Sequence, residues 1–178
     1  KIFLYFCFIA LSYMCVEIVI INKYTRYLAN PIYSSSVTIA TLVVSSGFGS
    51  RVSDRLARWN RKILLYPVFF IVVYLTVMLL LVDRIFQSLD NVSLLPTILF
   101  SMLILAPLGF AMGFPFPLAM SRLRRRGDDS VPWAWSINSY FSVIASTGAM
   151  IIASNAGFLW TGLSAVLLYA GSIFVFPD

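Results

Sequence analysis

The strongest constraint on this chain is the length of its apolar runs. "IFLYFCFIALSYMCVEIVII" (Ile2–Ile21) and "ILLYPVFFIVVYLTVMLLLV" (Ile63–Val82) are continuous and nearly free of charge. About 20 helical residues span about 30 Å, the hydrocarbon thickness of a bilayer. In hydrocarbon, backbone polar groups must be satisfied within a helix or a closed barrel. A barrel would show alternating segments of about 10 residues. The fold class that follows is all-α, a polytopic transmembrane helix bundle. Composition agrees: only 11% of the 178 residues are charged and 60% are hydrophobic, whereas a soluble domain carries about 25% charged residues.

Six spans are expected: Ile2–Asn22, Ile32–Ser50, Ile63–Val82, Val92–Met112, Trp133–Ser154 and Phe158–Phe176. The loop after span two holds Arg51, Arg55, Arg58, Arg61 and Lys62, and the loop after span four holds Arg122, Arg124, Arg125 and Arg126. The opposite loops hold only Lys23, Arg26 and Arg84. Basic residues in short loops mark the cytoplasmic side, so both termini are expected there. The net charge of +6 reflects this topology rather than a nucleic-acid surface. Tyr24, Tyr27 and Tyr33 at one side, and Trp59, Trp133 and Trp135 at the other, fit two interfacial aromatic belts. The start at Lys1 lacks the short apolar core and cleavage site of a secretory signal. It reads as a cut in front of a membrane helix, so residues 1–178 form a single transmembrane domain, a fragment or module of something larger.

Few residues offer chemistry. There is no histidine, and Cys7 and Cys15 lie two helical turns apart, too far for a disulfide within one helix. No zinc or haem site is expected, and no cofactor. Glu17 is the only acidic residue well inside an expected span. It could bind a proton or cation in a polar cavity, pair with Lys23 or Arg26, or stay protonated and bond a neighbouring helix. Ser34, Thr38, Thr41 and Ser45 recur at helical spacing on one face of span two, and Gly49 extends it. Such a stripe favours close helix packing, or lines a water-filled path. Span five has a similar face in Asn138, Ser142, Ala145 and Ala149, and the two faces are candidates to pack together.

Two further stretches stand out. "GFGSRVSDRLARWNRK" (Gly47–Lys62) places glycines, then Asp54-Arg55, then Arg58 and further basic residues after span two. The glycines are expected to close that helix, and Asp54 to cap the next one or to pair with arginine. "PLGFAMGFPFPLAMSRLRRR" (Pro107–Arg126) ends span four. Pro107 should kink it, Gly109 and Gly113 should admit a neighbouring helix, and Pro115 and Pro117 should force Phe114 and Phe116 out of the helix at the membrane surface.

The Gly49, Asp54, Arg55, Arg58 pattern resembles the signature loop between spans two and three of major facilitator transporters, with Ala57 in place of the second glycine. A closer resemblance rests on four stretches: "YMCVEIVIINKYTRYLANPIYSSSV", "SSGFGSRVSDR", "PLGFAMGFPFPLAM" and "PWAWSINSYFSVIAS". In this order they are similar to the C-terminal membrane region of bacterial multi-pass spermidine synthase-like proteins. The departures are Asn22-Lys23 for glutamine-arginine and Ser136 for glycine. The resemblance implies a bacterial inner-membrane module that accompanies a soluble synthase-like domain. That domain's cofactor loop and catalytic aspartate are absent from this sequence, so no enzyme activity is expected of it.

Three functions follow. The first is a non-catalytic membrane module that anchors a cytoplasmic synthase-like domain or assembles with other membrane subunits. The second is half of a major facilitator-like transporter for a small solute or polyamine. The third is an accessory subunit of a larger energy-converting membrane complex.

Overall fold

The computed structural model of the chain describes residues 1–56, 65–87, 93–125 and 130–176. Among them there is no strand, and seven helices follow in order: α1 (Ile2–Leu28), α2 (Pro31–Leu56), α3 (Leu65–Gln87), α4 (Leu94–Met112), α5 (Pro115–Arg125), α6 (Val131–Ala156) and α7 (Phe158–Phe174). Five stretches are long and apolar enough to cross a membrane, with α4 and α5 counted as one, and α7 is a shorter apolar helix. The chain thus has the helices of a multi-pass membrane protein.

The helix α1 is the central staff. Its buried side chains include Tyr5, Phe6, Ser12, Cys15, Val16, Val19, Ile20 and Tyr24, and it packs chiefly on α6, α7 and α2. Elsewhere α2 packs on α4 and α3 on α7. On α6 the stripe that meets its neighbours is small: Ala134, Ala145, Ala149 and Ala153. Small side chains let helix backbones approach where lipid provides no hydrophobic drive.

α2 and α4 approach each other closely. A Cβ on Gly49 would lie 2.0 Å from the Phe110 carbonyl oxygen, and one on Gly113 would lie 2.2 Å from that of Ser46. One on Gly109 would run into Ser45 Oγ. Gly109 and Gly113 are therefore a GxxxG pair seated on Ser45 and Gly49. Two expectations are corrected by this. Gly49 does not close α2, which continues to Leu56. The hydroxyl face of α2 packs on α4 and α1, not on the small face of α6, which packs on α1 and α7.

The prolines also behave differently from expectation. The regular helix breaks at Gly113-Phe114, as the sequence suggests, but Pro115 then opens a new helix. Pro115 is its first residue and Pro117 its third. The first helical turn has no intrahelical use for its N–H groups, so two prolines fit there without loss. Phe116 is accordingly helical, not extended. Its ring packs edge-on against Phe6 and Trp135, and Phe114 is buried. Pro107 lies inside α4, which continues unbroken to Met112.

Both chain ends and α5 meet at one end of the bundle. Tyr5 Oη donates to the Pro115 carbonyl at 2.9 Å, the Tyr5 ring meets Phe176, and the Arg122 guanidinium covers the Phe176 ring at 4.5 Å. With Arg51, Arg124 and Arg125 nearby in the fold, this is the basic end.

Candidate functional site

The polar residues of the sequence fall into two groups. The first belongs to packing. Ser34, Thr38, Thr41 and Ser45 are all buried. Ser34 Oγ donates to the Ile21 carbonyl of α1 at 2.5 Å. Thr41 and Ser45 donate to the carbonyls of Val37 and Thr41 within their own helix. The stripe is thus buried in the helix packing, with two of its hydroxyls bonded one turn back. Thr38 Oγ1 is buried without a partner among the described residues.

The second group lines a cleft of about 360 Å³ between α1, α2, α6 and the α4–α5 break. Tyr13 and Met14 come from α1, Ser46 and Ser50 from α2, Asn138 and Ser142 from α6, and Phe116 and Pro117 form its end. A second cleft of about 320 Å³ shares Ser50, Phe116 and Pro117 and leads to Ser121, Arg124 and Trp135 at the basic end. The two clefts meet at Phe116 and Pro117, in the first turn of α5 just after the Gly113-Phe114 break. The Asn138 side chain makes no hydrogen bond among the described residues.

Glu17 stands one turn from Tyr13 on the same face of α1 and is half-buried. Its carboxyl makes no hydrogen bond or ion pair among the described residues. Of the alternatives for Glu17, pairing with Lys23 is not formed: Lys23 Nζ binds Asp83 Oδ2 at 2.7 Å, and Tyr27 Oη donates to Asp83 Oδ1 at 2.6 Å. This Lys23–Asp83–Tyr27 cluster, which ties α1 to α3, was not foreseen. Span three ends at Val82 by hydropathy, yet the helix runs on to Gln87. The signal was Lys23, a basic residue late in an apolar run that needs an acid nearby.

The aromatic belt is corrected in part. Tyr24 is fully buried and donates to the Ser101 carbonyl at 3.1 Å, and Tyr27 serves Asp83. Tyr33, Trp133 and Trp135 are exposed as expected, and Trp59 lies outside the described residues. Asp54 and Arg55 belong to the last turn of α2 and do not start the next helix, which begins at Leu65. Arg58, Arg61, Lys62 and Arg126 lie outside the described residues. Cys7 and Cys15 are buried free thiols. Among the described residues no three metal-ligating side chains gather.

Comparison with known proteins gives no match: no family model matches the chain, and it matches no curated protein and no solved structure.

Proposed function

We propose that this chain is a non-catalytic helical membrane module that assembles with a second membrane-embedded body across its α1–α2–α6 face. One observation carries the reading: Glu17 and Asn138 stand half-buried on that face without a hydrogen bond among the described residues. Polar groups left to hydrocarbon are costly, and in membrane bundles they turn toward protein or water. The flank of the same face is polar as well, with Ser136 and Ser139 exposed on α6. The resemblance to multi-pass spermidine synthase-like proteins gives the module a setting, the bacterial inner membrane beside a cytoplasmic synthase-like domain. Both termini lie at the basic end, which suits such an attachment.

Photo-crosslinking in native membranes tests this. A photoreactive residue at Ser139 is expected to capture a membrane protein partner, and one at Leu103, exposed on the far side of the bundle, is not. Equal capture from both positions, or none from Ser139, refutes assembly through this face.

A second reading, half of a major facilitator-like transporter, is favoured by the packing order. α1 packs on α6, and α4 packs on α2. Exchanging the first three spans with the last three turns one pair into the other, as in a 3+3 repeat. The clefts from Tyr13 to Arg124 would then be half of a path, closed by a partner half. If Glu17→Gln leaves proton-coupled uptake into vesicles unchanged, this reading loses its central residue.

A further inference from the structure

Among the described residues the bundle has a large apolar groove. α4 packs against both α2 and α3, but α2 and α3 make no substantial contact with each other among the described residues. They splay apart on either side of α4 and leave a groove of about 1110 Å³. Its floor is the Pro107 face of α4, where Ala106, Pro107 and Ala111 are small or compact, and its walls are Phe48 of α2 and Phe69 and Phe70 of α3. By contrast, the consecutive helices α6 and α7 do pack on each other.

The groove has a chemical direction. It lies in the half of the bundle nearer the basic end, between the second half of α2, the first turns of α3 and the second half of α4. Arg51 is exposed one turn beyond Phe48 on the same side of α2. Tyr66 is exposed in the first turn of α3 and lines the groove mouth. A guanidinium and a phenol at the interface, above a slot lined by hydrocarbon and aromatic rings, match an anionic phosphate head joined to acyl chains.

We propose that the α2–α3–α4 groove is a binding site for an anionic phospholipid, its acyl chains lying along Ala106 and Pro107 and its phosphate held by Arg51 and Tyr66. A lipid here completes the packing that α2 and α3 do not make with each other. The site is separate from the α1–α2–α6 face, so it stands whether or not that face docks a partner.

The test is lipid retention. The full chain is purified with excess phosphatidylglycerol or phosphatidylcholine, and bound lipid is counted by native mass spectrometry. Wild type is expected to retain phosphatidylglycerol over phosphatidylcholine by roughly fivefold, the effect of one well-placed basic residue. Arg51→Gln removes the preference and keeps the binding. Ala106→Phe fills the floor and removes both. Leu103→Trp, an exposed rim position, narrows the groove without touching the core and reduces retention if Ala106→Phe fails to fold. Equal retention of the two lipids by wild type, or unchanged retention in Leu103→Trp, overturns the proposal.

Discussion

Tyr5, in the first turns of α1, donates its hydroxyl to the carbonyl of Pro115, 110 residues later and 2.9 Å away. The acceptor is the residue that restarts the chain as a helix after the Gly113-Phe114 break. Two other tyrosines treat the same part of the chain alike: Tyr24 donates to the Ser101 carbonyl and Tyr74 to the Ile104 carbonyl at 2.7 Å. The interrupted span is thus held by phenols from two neighbouring helices.

Tyr5→Phe removes that bond and keeps the ring contacts with Phe6 and Phe176. Its expected cost is about 1 kcal/mol, the net worth of one such hydrogen bond. Unfolding in mixed detergent micelles measures it. A loss of several times that amount would mean that the α5 attachment depends on this bond alone.

Pro115→Ala and Pro117→Ala are expected to be nearly silent. Both positions lie in the first turn of α5, where a restored N–H finds no helical acceptor. Helix content by circular dichroism and detergent stability should match wild type. A shortened or lengthened helix content would contradict the N-terminal role given to them.

Alanine at Gly49 or Gly113 places a methyl inside van der Waals range of a backbone carbonyl. The backbone has no rotamer with which to yield, so each is expected to cost roughly 1–3 kcal/mol. Alanine at Gly47 or Gly148 meets nothing within 4 Å and should be neutral or slightly stabilising, because both lie inside helices. The contrast within the four variants is the measurement: equal losses at all four would remove close approach as the reason for Gly49.

Asp83→Asn leaves Lys23 without its counter-charge in a largely buried setting. The expected loss is on the order of 1–3 kcal/mol. Lys23→Met alone and the double variant complete a thermodynamic cycle, and the double variant should recover part of the loss. Additive losses would show that the pair is not coupled.

Hydropathy reveals the helical class and the apolar helices, five of them long enough to span and α7 shorter, because a run of that length is not hidden by single residues. The ends are less legible. α1 runs to Leu28 and α3 to Gln87 because Lys23, Arg26, Asp83 and Arg84 sit on helical turns that continue past the apolar runs, and hydropathy penalises charge whatever its backbone. Proline misleads for the opposite reason: Pro115 and Pro117 read as breakers, and only their place relative to Gly113 makes them a start. The α2 stripe is legible as an interface, but its partner is not. Gly109, four residues from Gly113, held that information, since two glycines one turn apart on α4 ask for a face such as Ser45 and Gly49. Of the candidate site, Asn138 lies in the cleft and Glu17 beside it. Tyr13 and Ser46 were not singled out, because a tyrosine and a serine in apolar helices look the same whether they pack or line a cleft.

The position of α1 has a consequence for biosynthesis. It packs mainly on α6 and α7, which leave the ribosome long after it does. Until they arrive, Ser12 and Cys15 lack their α7 neighbours Tyr169 and Ser164. The axle of the bundle must wait, unburied, while four helices are made. A chain stopped after α5 would therefore leave its most buried helix without the two helices it packs on most.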